Sequence, residues 1–220
     1  MKNLDQLLLN FKNEKNFKTQ DFFVSSSNFY AYNLINTWPK WEKNILNISG
    51  EKYSGKTHLS NIFLDKFKGI RIDANLFSNS DLNDLKIHEN IILDNINEKV
   101  NERLIYSLFN VIDQDNKFLI INSLKPINEI IYKLEDLKSR TKNCLVAKIE
   151  KPDDDLIFAL ILKNFSDLQI QIDKKLIDFV IKRIERSYSK IFEFIYKIDE
   201  LSLKKKKKIN LNIIKEVLEK

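Results

Sequence analysis

Glycine, proline and cysteine are all scarce in this 220-residue chain, which has three Gly, three Pro and a single cysteine, Cys144. One cysteine excludes an internal disulfide and a thiolate metal cluster, and it fits a reducing compartment in which Cys144 is a core residue. No apolar run approaches the roughly 20 residues that span a bilayer. The opening Met1-Lys2-Asn3-Leu4-Asp5 leads into a few leucines, without the long apolar stretch or small-residue cleavage site of a signal peptide. These absences point to a cytoplasmic protein with no membrane segment. Arginine is sparse too: of 37 basic residues, only those at 71, 103, 140, 183 and 186 are Arg. The net charge of +6 therefore reflects a general preference for Lys, Asn and Ile more than a nucleic-acid footprint. His58 and His88 stand alone, with none of the His or Cys partners a metal site needs. No Ser-His-Asp or paired-carboxylate arrangement is apparent.

What is present is a change of texture along the chain. The length suits one core with a small satellite rather than two full domains. A polar stretch at 13–20 separates a leucine-rich tip from the rest and reads as a tether. From about Asn44, short runs of branched apolar residues alternate with helical ones: 45–48, 70–72, 91–93, 118–121 and 145–149. This alternation predicts an α/β core with a parallel sheet covered on both faces. After Pro152 only helical spacing remains, at 156–165, 176–184, 191–203 and 211–218, which predicts a small all-helical subdomain. The expected division is a tether at 1–20, an α/β nucleotide-binding part at 21–151 and a helical part at 152–220.

In a chain so poor in glycine, two of the three lie five residues apart. Gly50-Glu51-Lys52-Tyr53-Ser54-Gly55-Lys56-Thr57 matches G-x-x-x-x-G-K-[ST] in full, after a strand-like run and before the helical 58–67 that begins with His58. Gly lets main-chain amides close around phosphates and a helix N-terminus favours the anion. Lys56 reaches the β- and γ-phosphates, and the Thr57 hydroxyl ligates Mg²⁺. ADP or ATP with Mg²⁺ is the expected ligand. Ile91-Ile92-Leu93-Asp94 supplies the companion acid, with Asp94 at the end of a buried strand to hold Mg²⁺ directly or through water; the plain alternative is a turn cap. The next residue, Asn95, cannot take a proton from an attacking water, so intrinsic hydrolysis should be weak unless Glu98 or an external group compensates.

Between Phe22 and Leu218 this order of features resembles the AAA+ P-loop core of the bacterial replication initiator DnaA and, more closely, of its short relative Hda. The chain is therefore identified as a member of the DnaA/Hda family. Asp21-Phe22-Phe23-Val24-Ser25-Ser26-Ser27-Asn28 resembles the entry segment that flanks adenine, which implies nucleotide contacts from Phe22, Phe23 and Val24. Trp38-Pro39-Lys40-Trp41 is similar to a segment of Hda-like proteins, and core packing is the expected role of both Trp. The run 118–123 resembles the sensor I strand, with Asn122 facing the γ-phosphate or simply ending the strand. Leu134-Glu135-Asp136-Leu137-Lys138-Ser139-Arg140 is similar to the box whose final Arg is an arginine finger acting in trans on a neighbour's nucleotide; the alternative for Arg140 is a surface ion pair. Ile184-Glu185-Arg186-Ser187-Tyr188 falls at sensor II, which implies that Arg186 reaches back to the phosphates, although Lys190 departs from the small residue of the initiator's motif; the alternative for Arg186 is another surface ion pair.

Gln6-Leu7-Leu8-Leu9-Asn10-Phe11 resembles the peptide by which Hda docks on the β sliding clamp, with Gln6, Leu7, Leu9 and Phe11 as anchors; a frayed amphipathic tip is the alternative. The lysines at 204–208 are expected to form a solvated loop with at most weak direct DNA contact. No room is expected for the helix-turn-helix and helicase-interacting domains of the initiator. The resemblance thus implies an adenine-nucleotide-binding regulator that partners the DnaA AAA+ domain and the clamp, stimulates hydrolysis of DnaA-bound ATP, and is open to homo-oligomer formation. The competing readings are a helicase-loader-type ATPase acting through its own turnover and a non-enzymatic adaptor.

Overall fold

The computed structural model describes residues 21–170, 172–205 and 208–219. Five strands, β1 (Ile45–Ser49), β2 (Ile70–Asp73), β3 (Asn90–Ile96), β4 (Phe118–Ser123) and β5 (Leu145–Lys148), form a wholly parallel sheet in the order β2-β3-β4-β1-β5. Each falls on one of the branched apolar runs, because a strand buried on both faces needs side chains that fill both. The helices α1 (Phe29–Thr37), α2 (Lys56–Lys66), α3 (Asn79–Asp84), α4 (Glu102–Gln114) and α5 (Glu135–Thr141) accompany the sheet. Four more follow: α6 (Asp154–Asp167), α7 (Lys174–Ile181), α8 (Tyr188–Lys205) and α9 (Leu211–Leu218).

Alternation along the strands divides the core. Ile91, Leu93, Leu119 and Ile121 face Leu104, Leu108 and Phe109 of α4. Ile92 and Ile120 face the other way, toward Ala31 and Ile35 of α1 and Leu59, Ile62 and Phe63 of α2. Trp38 and Trp41 join that second layer: Trp38 lies against Phe63, Phe67 and Phe118, and the Trp41 indole N–H donates to the Leu34 carbonyl at 2.7 Å. Both are packing residues. A third cluster, built from Ile161, Phe165, Val180, Ile191, Ile198 and Ile214, holds α6 to α9 together.

Polar groups inside the sheet are paired where they fix its geometry. Asn47, fully buried in β1, donates to the Ile121 carbonyl at 3.0 Å and to Ser123 Oγ at 2.8 Å, and accepts from the Ile127 amide at 2.8 Å. It thereby locks β1 to β4 and to the turn after it. Asp153 caps α6 by accepting from the Leu156 amide at 2.8 Å, with Asp154 and Asp155 in the first turn complementing the helix dipole. Among the described residues no helix is long and apolar enough to cross a membrane.

Candidate functional site

In a parallel sheet, ligands bind beyond the carboxyl ends of the strands, where neighbouring connections diverge. The chain leaves β1 there at Gly50 and returns as α2, whose N-cap is Gly55. Gly55 has φ +98°, and a Cβ on it would lie 3.1 Å from the Phe22 ring, so a side chain is excluded both by the backbone conformation and by its neighbour. A Cβ on Gly50 would meet Ser54 Oγ at 2.8 Å. Tyr53 also takes a left-handed conformation, φ 70°, where glycine is the unstrained residue.

The turn opens into a cleft of 710 Å³, within the size range of cofactor sites. One wall is the loop itself, from Lys52 through Ser54, Gly55, Lys56 and Thr57 to His58; another carries Asp94 and Asn122, and Phe22 and Phe23 stand at the mouth. The Phe22 ring stacks on Tyr32 at 5.8 Å and takes the edge of His58 at 5.2 Å. Asn28 fixes this entry segment by donating to the Phe23 carbonyl at 2.9 Å and accepting from the Ser25 amide at 3.0 Å. Leu156, Ala159 and Leu160 of α6 and Tyr188 and Phe192 of α8 close the cleft from above.

Its electrostatics favour an anion. The Lys56 ammonium donates to the Gly50 and Glu51 carbonyls, both at 2.8 Å. Burial pushes its pKa down to about 8, against the opposing pull of Asp94 and Glu51. The amides of Lys56, Thr57 and His58 begin α2 and so have no intrahelical acceptor. Behind them, Asn122 donates to Ser60 Oγ at 2.7 Å and to Asp94 Oδ1 at 2.5 Å, and Arg71 Nε lies 3.4 Å from Asp94 Oδ2. The buried Asn122 Oδ1 and Ser54 Oγ have no hydrogen-bond partner among the described residues. Such a set can hold a phosphate against main-chain and ammonium donors while a carboxylate and a carboxamide wait beyond it.

Asn95 sits at φ 63° beside a register shift in β3, and its amide donates to Asp73 Oδ2 at 2.6 Å. It lines the cleft, yet its amide is engaged with Asp73.

The comparisons with known proteins agree with this geometry. The family model "Hda, lid domain" matches residues 153–218. DnaA of Borreliella afzelii (strain PKo) is 27% identical over 205 residues, which cover 80% of this chain and 42% of that protein. Domain III of Thermotoga maritima DnaA superposes with a TM-score of 0.76 at 19% identity, covering 93% of this chain and 96% of that one.

The chain has the fold of DnaA domain III, and its residues 153–218 match the Hda lid.

AMPPCP-bound DnaA from Aquifex aeolicus shares the fold, with a TM-score of 0.68 at 19% identity over 84% of this chain and 65% of that one. The chain spans about two fifths of the length of the curated DnaA relatives it matches first.

Of the family-based expectations, the cleft gathers Phe22, Phe23, 52–58, Asp94 and Asn122. Val24, Gly50 and Glu51 are not on its lining. Arg186 is not there either: its guanidinium pairs with Asp154 at 2.8 Å, and both side chains are more than half exposed. Arg140 lies elsewhere again. Its Nη1 is 2.5 Å from Asp113 and its guanidinium 5.1 Å from the Tyr106 ring centre, in a hollow lined also by Asn44 and Ile45, where β1 begins. The phosphate loop follows the other end of β1, about 16 Å away for a five-residue strand. Gln6, Leu7, Leu9 and Phe11 lie outside the described residues. Of the lysines at 204–208, Lys204 and Lys205 end α8, and Lys205 pairs with Glu216.

Two residues that hold the cleft's polar groups from behind, Arg71 and Ser60, were not singled out in the sequence. Arg71 reaches Asp94 only because β2 pairs with β3 in a register that sets Asp73 beside Asp94. Ser60 was recoverable in principle, since it lies one turn after Thr57 on the face of α2 turned to the sheet.

Proposed function

We propose that this protein is an Hda-like regulator of replication initiation, which binds adenine nucleotide in the cleft and stimulates hydrolysis of DnaA-bound ATP in trans through Arg140. The observation that carries the reading is the separation of the two functional elements. A complete phosphate loop lies at the carboxyl ends of the strands, and the Arg of the arginine-finger box lies at the opposite end, out of reach of it. A guanidinium so placed can serve only another molecule's phosphates, and a planar, permanently charged fork suits the transferring phosphoryl group.

The cleft fits an adenine nucleotide with Mg²⁺ on the chain's own evidence. Among the described residues two buried polar oxygens find no partner and the ammonium donates only to loop carbonyls, and the turn has no space for a Cβ at Gly50 or Gly55. In this reading Lys56 and the loop amides hold the phosphates, Thr57 and Asp94 hold Mg²⁺, Asn122 faces the terminal phosphate, and Phe22 and Phe23 flank the base. Mg²⁺ would supply charge neutralisation of the phosphates. Asn95 cannot act as a base, so turnover by this chain alone is weak at most. The helical part at 152–220 acts as the lid, with Arg186 reaching the phosphates only after it leaves Asp154. Residues 6–11 dock on the β sliding clamp, which raises the local concentration of the regulator near its target. The protein works in the cytoplasm.

The test is single-turnover hydrolysis of ATP bound to DnaA, with clamp loaded on DNA. Wild type should accelerate it, and Gln6→Ala/Leu7→Ala should lose most of the acceleration while still binding ADP. Acceleration that does not depend on clamp and is matched by strong ATPase activity of the isolated protein would replace this reading with the self-sufficient ATPase.

A further inference from the structure

Glu51 does two things at once. Its carbonyl accepts from Lys56 Nζ at 2.8 Å inside the phosphate loop. Its carboxylate leaves the loop on the other side and caps the start of α8: Oε1 accepts from Ser187 Oγ at 2.5 Å and from the Ser189 amide at 3.1 Å, and Oε2 accepts from the Tyr188 amide at 3.1 Å. A helix N-terminus is ordinarily capped by its own neighbour in sequence. Here the capping anion comes from 136 to 138 residues away, out of the loop that would bind phosphate. Burial alone would raise the Glu51 pKa; the hydrogen bonds from Ser187, Ser189 and Tyr188 hold it below its ordinary value, so the cap is a charged one.

A second contact runs parallel to the first. The Tyr53 ring packs on Phe192, one turn further along α8, with ring centres 5.1 Å apart. Tyr53 holds this position at φ 70°, a left-handed conformation that is strained for an L-residue. The loop thus turns its main chain toward the cleft and its side chains at 51 and 53 toward α8. Arg186, the residue expected to join lid and phosphates, is engaged with Asp154 in α6.

We propose that Glu51, with Tyr53 beside it, is the positioning residue that couples occupancy of the phosphate loop to the lid helix α8. This rests on the reading of the cleft as a nucleotide site. When Lys56 turns from the Glu51 carbonyl to a phosphate, the peptide unit that carries the capping carboxylate loses its anchor, and the N-terminus of α8 must follow or be released. The information passes through the loop's own side chains to the N-terminus of α8.

The experiment is amide hydrogen exchange on the full chain with and without ADP, followed at the Tyr188 and Ser189 amides, with ADP affinity measured in parallel. In wild type, saturating ADP should change exchange at these amides by about tenfold or more, the scale of a local opening equilibrium. In Glu51→Ala, and in the milder Glu51→Gln should the first be poorly folded, ADP should still bind within about tenfold of wild type while the response at 188 and 189 disappears. Tyr53→Gly relieves the backbone strain and should weaken the response without lowering stability. An ADP response of wild-type size in Glu51→Ala, or no response in wild type that binds ADP, overturns the proposal. Failure of wild type to bind ADP overturns instead the nucleotide reading beneath it.

Discussion

The two ends of the sheet differ in how their polar groups are arranged. At the carboxyl end, Lys56, Asp94 and Asn122 converge from α2, β3 and β4 on one cleft, with Ser60 behind Asn122 and with buried oxygens that find no partner among the described residues. At the amino end, Arg140 is about one third exposed and is held, among the described residues, by the Asp113 carboxylate and the face of Tyr106. Convergence with unmet hydrogen bonds marks a place that receives a ligand. A lone, lightly held guanidinium marks a group presented outward. In the proposed function the two are a nucleotide-holding end and an end that acts on a neighbour.

The largest effect should come from the amino end. Arg140→Ala is expected to lower stimulation of DnaA-bound ATP hydrolysis by about 10³-fold, the lower range for an arginine finger, with the stability of the chain little changed. Stimulation kept within a factor of a few would erase the functional contrast between the ends. At the carboxyl end, Gly55→Val places a β-branched side chain at φ +98° against the Phe22 ring. It should weaken ADP binding by roughly 100-fold, as a lost main-chain cradle requires, while leaving trans-presented Arg140 in place. Fluorescent-ADP titration measures it.

A third test uses pH. Lys56, with its pKa near 8 in the ligand-free protein and 10.5 in an unfolded chain, carries fewer protons folded than unfolded between those values. Its contribution to folding stability therefore rises with pH through that window. Phosphate binding needs the charged form, so ADP affinity should fall, approaching about tenfold per pH unit above 8. Opposite slopes of stability and affinity in one protein sharpen the assignment; affinity flat from pH 7 to 9.5 would mean that Lys56 does not hold the phosphates. The smallest effect is expected from Asp113→Asn. A pair this exposed is worth about 1 kcal/mol or less, so freeing Arg140 should raise trans stimulation by only about two- to fivefold.

The same contrast explains what the sequence made legible. Runs of branched apolar residues announced all five strands because a doubly covered parallel sheet demands them, and Gly50 and Gly55 stood out because the chain spends glycine almost nowhere else. Asp94 was readable from the three apolar residues before it, and the helical texture after Pro152 anticipated α6 to α9. What stayed hidden depends on contacts that no local pattern encodes. Arg71 meets Asp94 through strand register, Glu51 meets α8 across more than 130 residues, and Leu156 and Leu160 face the cleft only once α6 is laid over it. Arg186 shows the converse. Its motif position implied the phosphates, but an Asp154 carboxylate within 2.8 Å holds it on the surface of the lid.

The central claim is that the cleft takes up adenine nucleotide through Lys56 and that Arg140 has no part in that uptake. Calorimetric titration of ADP and Mg²⁺ into wild type, Lys56→Ala and Arg140→Ala tests it most directly. The account predicts saturable one-to-one binding by wild type, the same affinity in Arg140→Ala, and no measurable heat in Lys56→Ala. Equal losses in the two variants, or no uptake by the wild-type chain, would contradict it.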